Sequence, residues 1–95
     1  MMADNRTIRI SDPGDHLGYR RARQIADRIP ADADARTVLI HLPHATDATT
    51  AGLARLVLLR RELLKTGRDL RILGLSARAD ALYTICRMTA LLPRA

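Results

Sequence analysis

Aromatic residues are almost missing from this chain: Tyr19 and Tyr83 are the only two, with no Phe and no Trp. The core of a 95-residue chain must then be Leu, Ile, Val and Ala, and little is left for stacking nucleic-acid bases. Cys86 is the single cysteine, which excludes an internal disulfide and a cysteine zinc cluster. No apolar run approaches the roughly 20 residues of a membrane helix. The opening Met1-Met2-Ala3-Asp4-Asn5 lacks the apolar stretch of a secretory signal, so a reducing, cytoplasmic setting is expected. Lysine is reduced to Lys65, set against fifteen arginines.

What remains is a chain built to fold. Hydrophobic residues make up 47% and charged residues 27%, the balance of a globular protein rather than a disordered one. The length fits one domain, with a thin stability margin because small domains bury less of their surface. The net charge of +6 suggests an anionic partner. The arginines are scattered, however, with no run longer than two, which argues against a specific nucleic-acid site.

Hydropathy patterning reads as strand and helix in alternation. Thr7-Ile8-Arg9-Ile10 alternates like a half-buried edge strand. Ser11-Asp12-Pro13-Gly14-Asp15 is a turn cluster. Leu17 to Ile29 reads as a helix closed by Pro30, with Gly18, Ala22, Ile25, Ala26 and Ile29 on one side and Tyr19 at its edge. Arg20, Arg21, Arg23 and Arg28 fall on the solvated side. Thr37 to Leu42 is nearly all apolar, as in a central strand covered on both faces. A second helix is expected from Thr50 to Thr66, stopped by Gly67 at C′. Its apolar arc is Leu53, Leu56, Val57, Leu59, Leu63 and Leu64. Arg60 falls inside that arc and is expected to snorkel to water. A third strand, Leu70 to Leu75, leads into a helix from Ala77 to Met88, capped by Ser76 and buried through Ala81, Leu82, Ile85, Cys86 and Met88. Apolar strands joined by helical crossovers imply a small α/β domain with a mixed or mostly parallel sheet.

In such sheets binding chemistry gathers where strands end and helices begin. Two such places are the loop from Pro43 to Thr50 and Gly74-Leu75-Ser76, which are expected to lie side by side. In Asp47-Ala48-Thr49-Thr50-Ala51-Gly52-Leu53, two hydroxyls stand at a helix N-terminus. One of them caps the helix in the plainest reading. Capping alone does not call for Ala51 and Gly52, whose small size would leave the first turn approachable by another molecule. A phosphate on Thr50 would meet free N–H groups and the positive end of the helix dipole. Leu58 stands apart from the apolar arc, among Arg55, Arg61, Glu62 and Lys65, where it is either an ordinary exposed leucine or a partner's anchor.

The run Val38-Leu39-Ile40-His41-Leu42, a short loop, then Thr49-Thr50-Ala51-Gly52-Leu53, resembles the STAS domain (sulfate transporter and anti-sigma factor antagonist). Gly67-Arg68-Asp69-Leu70-Arg71-Ile72-Leu73-Gly74-Leu75-Ser76 and Leu82 to Leu92 resemble its later strand and closing helix, so the likeness spans about residues 36–92. In that correspondence the phosphorylated hydroxyl falls on Thr50, the acidic residue before it on Thr49, with Asp47 two positions earlier, and the closing glycine on Arg87. The family's opening two-strand hairpin is represented by one clear strand. The resemblance implies a non-catalytic regulatory module that binds an anti-sigma factor or serine/threonine kinase and is switched by phosphorylation at Thr50. The alternative is the STAS subunit of a phospholipid-transport ABC system, bound to its ATPase. A basic nucleic-acid-binding module is a lesser alternative. The partner surface expected on this basis is Asp47, Thr49, Thr50, Gly52, Leu58 and Ser76. No cofactor is expected. His16, His41 and His44 lack a carboxylate at ligand spacing, so no metal site is expected. Thr50 with His41 or His44 lacks an oriented third member, so no catalytic site is expected either.

Overall fold

The computed structural model describes residues 7–29 and 36–95. Its elements are β1 (Thr7–Ser11), β2 (His16–Leu17), α1 (Tyr19–Asp27), β3 (Thr37–Leu42), β4 (Asp47–Ala48), α2 (Thr50–Leu64), β5 (Asp69–Leu75) and α3 (Ala77–Ile85), with a 3-10 turn over Met88–Ala90. Pro30, expected to close α1, lies outside the described residues.

β1, β3 and β5 form one parallel sheet in that order, and β2 and β4 form a second, two-residue parallel pair. Two successive right-handed crossovers in the same direction carry α1 and α2 to the same face of the sheet, where they pack against each other. The sheet side chains follow. Ile10, Val38, Ile40, Leu42, Leu70 and Ile72 are buried and belong to one core cluster with Leu17, Ile25, Leu53, Leu56, Tyr83 and Leu92. Each such side chain contributes about 1.5–3 kcal/mol by leaving water.

β3 is therefore not covered equally on both faces. Its burial alternates, with Thr37, Leu39 and His41 only half-buried on the other side. That side also carries the exposed Arg9, Ser11 and Arg71. An unbroken apolar run does not by itself reveal this, because Leu39 needs only the shelter of its neighbouring strands.

Helix ends obey local chemistry. Gly67, at φ +77, ends α2: its N–H donates to the Leu64 carbonyl and that of Arg68 to Leu63, the two bonds of a Schellman motif. Leu17 belongs to β2 rather than α1, and Gly18 occupies the N-cap without a side-chain bond.

Two helices, α2 and α3, differ from expectation. Leu64 is exposed. Arg60 stays partly exposed, but its head group is held by the protein: its Nε donates to Asp69 Oδ1 at 2.7 Å and its Nη1 to the Leu91 carbonyl at 3.3 Å. Partial burial pushes the Asp69 carboxyl up, but the bonds from Arg60 and the Leu70 N–H, with the charges of Arg60 and Arg71, outweigh it and hold it below its usual value. α3 is turned so that Ala79 and Tyr83 are buried, while Ala81 and Ile85 are exposed. The Tyr83 hydroxyl donates to the Leu92 carbonyl, and Arg94 lies 4.5 Å over its ring while pairing with Asp80. One polar tip with a buried partner thus orients a helix whose apolar residues surround it.

Candidate functional site

The carboxyl ends of β1, β3 and β5 form a rim, and the short β2–β4 pair sits on it. The Asp47 N–H donates to the Asp15 carbonyl and the Thr49 N–H to that of Leu17, both at 2.9 Å. These bonds lay residues 15–18 against the entrance of α2. The two expected loops do meet: the Ser76 N–H donates to the Leu42 carbonyl at 3.0 Å, and its Oγ to the Ala45 carbonyl at 2.8 Å. Ser76 Oγ also accepts from the Ala79 N–H at 3.1 Å, capping α3. Ser76 is buried and fully occupied, so it shapes the rim from beneath.

Thr49, not Thr50, caps α2. Its Oγ1 accepts from the Gly52 N–H at 3.1 Å and faces the Leu17 carbonyl at 3.4 Å. Once that orphan donor is satisfied, the next hydroxyl has no structural duty. Thr50 is exposed, and its hydroxyl bonds no described residue. The first turn of α2 holds no acidic side chain, leaving the positive end of the dipole uncompensated from within the helix.

Gly52 has a different role from the one its sequence position suggests. It is buried, and a Cβ placed there would stand 2.4 Å from the Leu17 carbonyl oxygen. The molecule approaching this turn is the chain itself, so Gly52 is a packing residue and offers no open surface. Asp47 is exposed and joins His16, its Oδ2 lying 3.0 Å from His16 Nδ1, across the β2–β4 register. Asp47, Thr49 and Thr50 thus share one end of α2. Leu58, 47% exposed, lies eight residues further along the helix, about 12 Å at the usual rise.

Sequence reasoning missed two partners of this surface. His16 meets Asp47 only because two dipeptides pair across thirty-one residues, which leaves no local signal. Tyr19, 53% exposed, joins Arg55, Leu58, Arg61, Glu62 and Lys65 around a shallow groove of about 410 Å³. Its place at the edge of the α1 apolar face was the signal that could have found it. His41 Nδ1 lies 3.3 Å from Ser11 Oγ on the adjacent strand, a contact separate from Thr50. Among the described residues no three His, Cys, Asp or Glu side chains group to hold a metal. No helix of the described residues is long and apolar enough to cross a membrane.

These features define a small α/β protein whose strand-end rim presents an unengaged threonine at the start of a fifteen-residue helix. Set against models of known protein families, curated proteins and solved structures, the chain matches none.

Proposed function

We propose that this chain is a non-catalytic docking module of the STAS type, acting in the cytoplasm as an antagonist of an anti-sigma factor, with Thr50 as its switch. One observation carries the reading: Thr49 takes the capping role, so the Thr50 hydroxyl is exposed and unengaged on an uncharged first turn. A kinase partner would move the γ-phosphoryl of ATP onto Thr50 Oγ, releasing ADP and the hydroxyl proton. The added charge of about −2 would be tolerated at the helix N-terminus yet costly to desolvate beneath a partner.

A second observation favours the family resemblance. The position that corresponds to its closing glycine, Arg87, has φ +54, and it is the one non-glycine residue with positive φ among those described. Glycine is the residue that adopts this conformation without a steric penalty.

The test is affinity capture from native lysate with mass spectrometry, comparing the wild type with Thr50→Asp and Thr50→Ser. Capture of a serine/threonine-kinase-like protein by the wild type and Thr50→Ser, lost with Thr50→Asp, is the expected outcome. Equal capture of the same protein by all three overturns the switch.

A further inference from the structure

We propose that the groove between α1 and α2 is the docking site for an acidic segment of a partner protein that inserts one large apolar side chain between Tyr19 and Leu58. The inference rests on the reading of this chain as a docking module, and does not require Thr50 to be modified. Tyr19 and Leu58 are 53% and 47% exposed, although the core takes the other large apolar side chains of these two helices except Leu64. They face one concavity of about 410 Å³, enough for a single large side chain rather than a flat sheet of lipid.

The charges around it set the sign of the occupant. Arg55, Arg61 and Lys65 line the groove against one carboxylate, Glu62. None of the three cations has a carboxylate within ion-pair distance among the described residues, whereas Arg21, Arg60, Arg71 and Arg94 are each held by one. An apolar floor ringed by unengaged cations complements a segment with the opposite arrangement, an aliphatic or aromatic anchor flanked by Asp and Glu. Anchors of this kind carry most of the affinity of an interface, and the charges govern encounter and salt dependence. The arginines are also spread along one helix rather than along a phosphate track, and Tyr19 is the only aromatic side chain at the groove.

The experiment selects binders of the full chain from a random displayed peptide library and titrates the best one, dye-labelled, by fluorescence anisotropy. The selected peptides should be acidic with one large apolar residue. Their affinity should fall at least about tenfold with Leu58→Asp and with the double reversal Arg55→Glu, Arg61→Glu, and should fall as salt rises. Arg9→Glu with Arg71→Glu, on the other face of the sheet, should change nothing beyond the small effect of net charge. Circular dichroism verifies folding, and Leu58→Ala replaces Leu58→Asp if the latter unfolds. Failure to enrich acidic peptides overturns the proposal. So does an equal loss from Arg9→Glu with Arg71→Glu, or displacement of the peptide by single-stranded oligonucleotide or phosphatidylserine vesicles at lower concentration than unlabelled peptide. Thr50→Asp separates the two readings: lost capture of the native partner with intact peptide binding sustains both, and intact capture with intact peptide binding removes only the switch. Absent peptide binding with a Thr50→Asp effect on capture removes only the groove.

Discussion

Gly52→Ala offers the most direct test of how the rim is built. A methyl group at this position would stand 2.4 Å from the Leu17 carbonyl oxygen, 2.9 Å from its carbon and 3.1 Å from the Gly18 carbon. A relaxed carbon–oxygen contact lies at about 3.3–3.6 Å, so the two backbones must separate by roughly 1 Å. All three atoms are main chain, so no side chain can swing aside. The Leu17 carbonyl accepts from the Thr49 N–H, and separation stretches that bond together with the pairing of β2 and β4. Overpacking of this kind costs about 1–3 kcal/mol, and a weakened hydrogen bond adds up to about 1 kcal/mol. Alanine recovers about 1 kcal/mol of helix propensity over glycine. The net is a loss of up to about 3 kcal/mol, about 1.5 kcal/mol at the middle of these ranges. Urea unfolding followed by circular dichroism should show the midpoint falling by about 1.5 M, and by no more than about 3 M, at an unchanged slope near 1 kcal/mol/M. A higher midpoint would refute the reasoning, because propensity would then have won and the first turn of α2 would be open after all.

The other expectations concern caps, the buried tyrosine, an ion pair and one strained backbone position. Thr49→Ala should lower stability by about 1 kcal/mol through loss of the N-cap, and Thr50→Ala by less than about 0.5 kcal/mol, compared by thermal or urea unfolding. Tyr83→Phe leaves the Leu92 carbonyl without its hydroxyl donor and should cost about 1–3 kcal/mol, read in the same way. Asp69 has a lowered folded-state pKa, so its contribution is present above its unfolded value near 4 and is lost as pH falls through the folded value. Asp69→Asn should therefore be less stable than the wild type at neutral pH, with the gap closing as unfolding is measured towards pH 2. Arg87→Gly should raise stability by about 0.5–1 kcal/mol by relieving the positive φ, read as a higher urea midpoint.

Much of this protein follows from short-range chemistry that a sequence displays. The strand Thr37–Leu42 has the bounds its apolar run suggests, and Ser76 caps α3 as its hydroxyl just ahead of a helix implies. Gly67 ends α2 at positive φ because a glycine ending an apolar arc is the residue for which that turn costs least. The adjacency of the two rim loops was also legible, since parallel β3 and β5 must release their chains at the same edge. Tertiary structure alone decided the rest, wherever the deciding partner is remote. Thr49 and Thr50 are equally good caps in sequence; the Leu17 carbonyl, thirty-two residues away, stands beside Thr49. Gly52 looks like an opening until that same carbonyl fills it. Arg60 on an apolar arc is unremarkable until β5 brings Asp69 to it. α3 has apolar residues on every side, so periodicity could not choose its inward face, and the hydrogen bond from Tyr83 to Leu92 did. Local propensity specifies where elements start and stop because its causes lie within one turn; which face turns inward, and which hydroxyl stays free, depends on atoms that only the folded chain brings into contact.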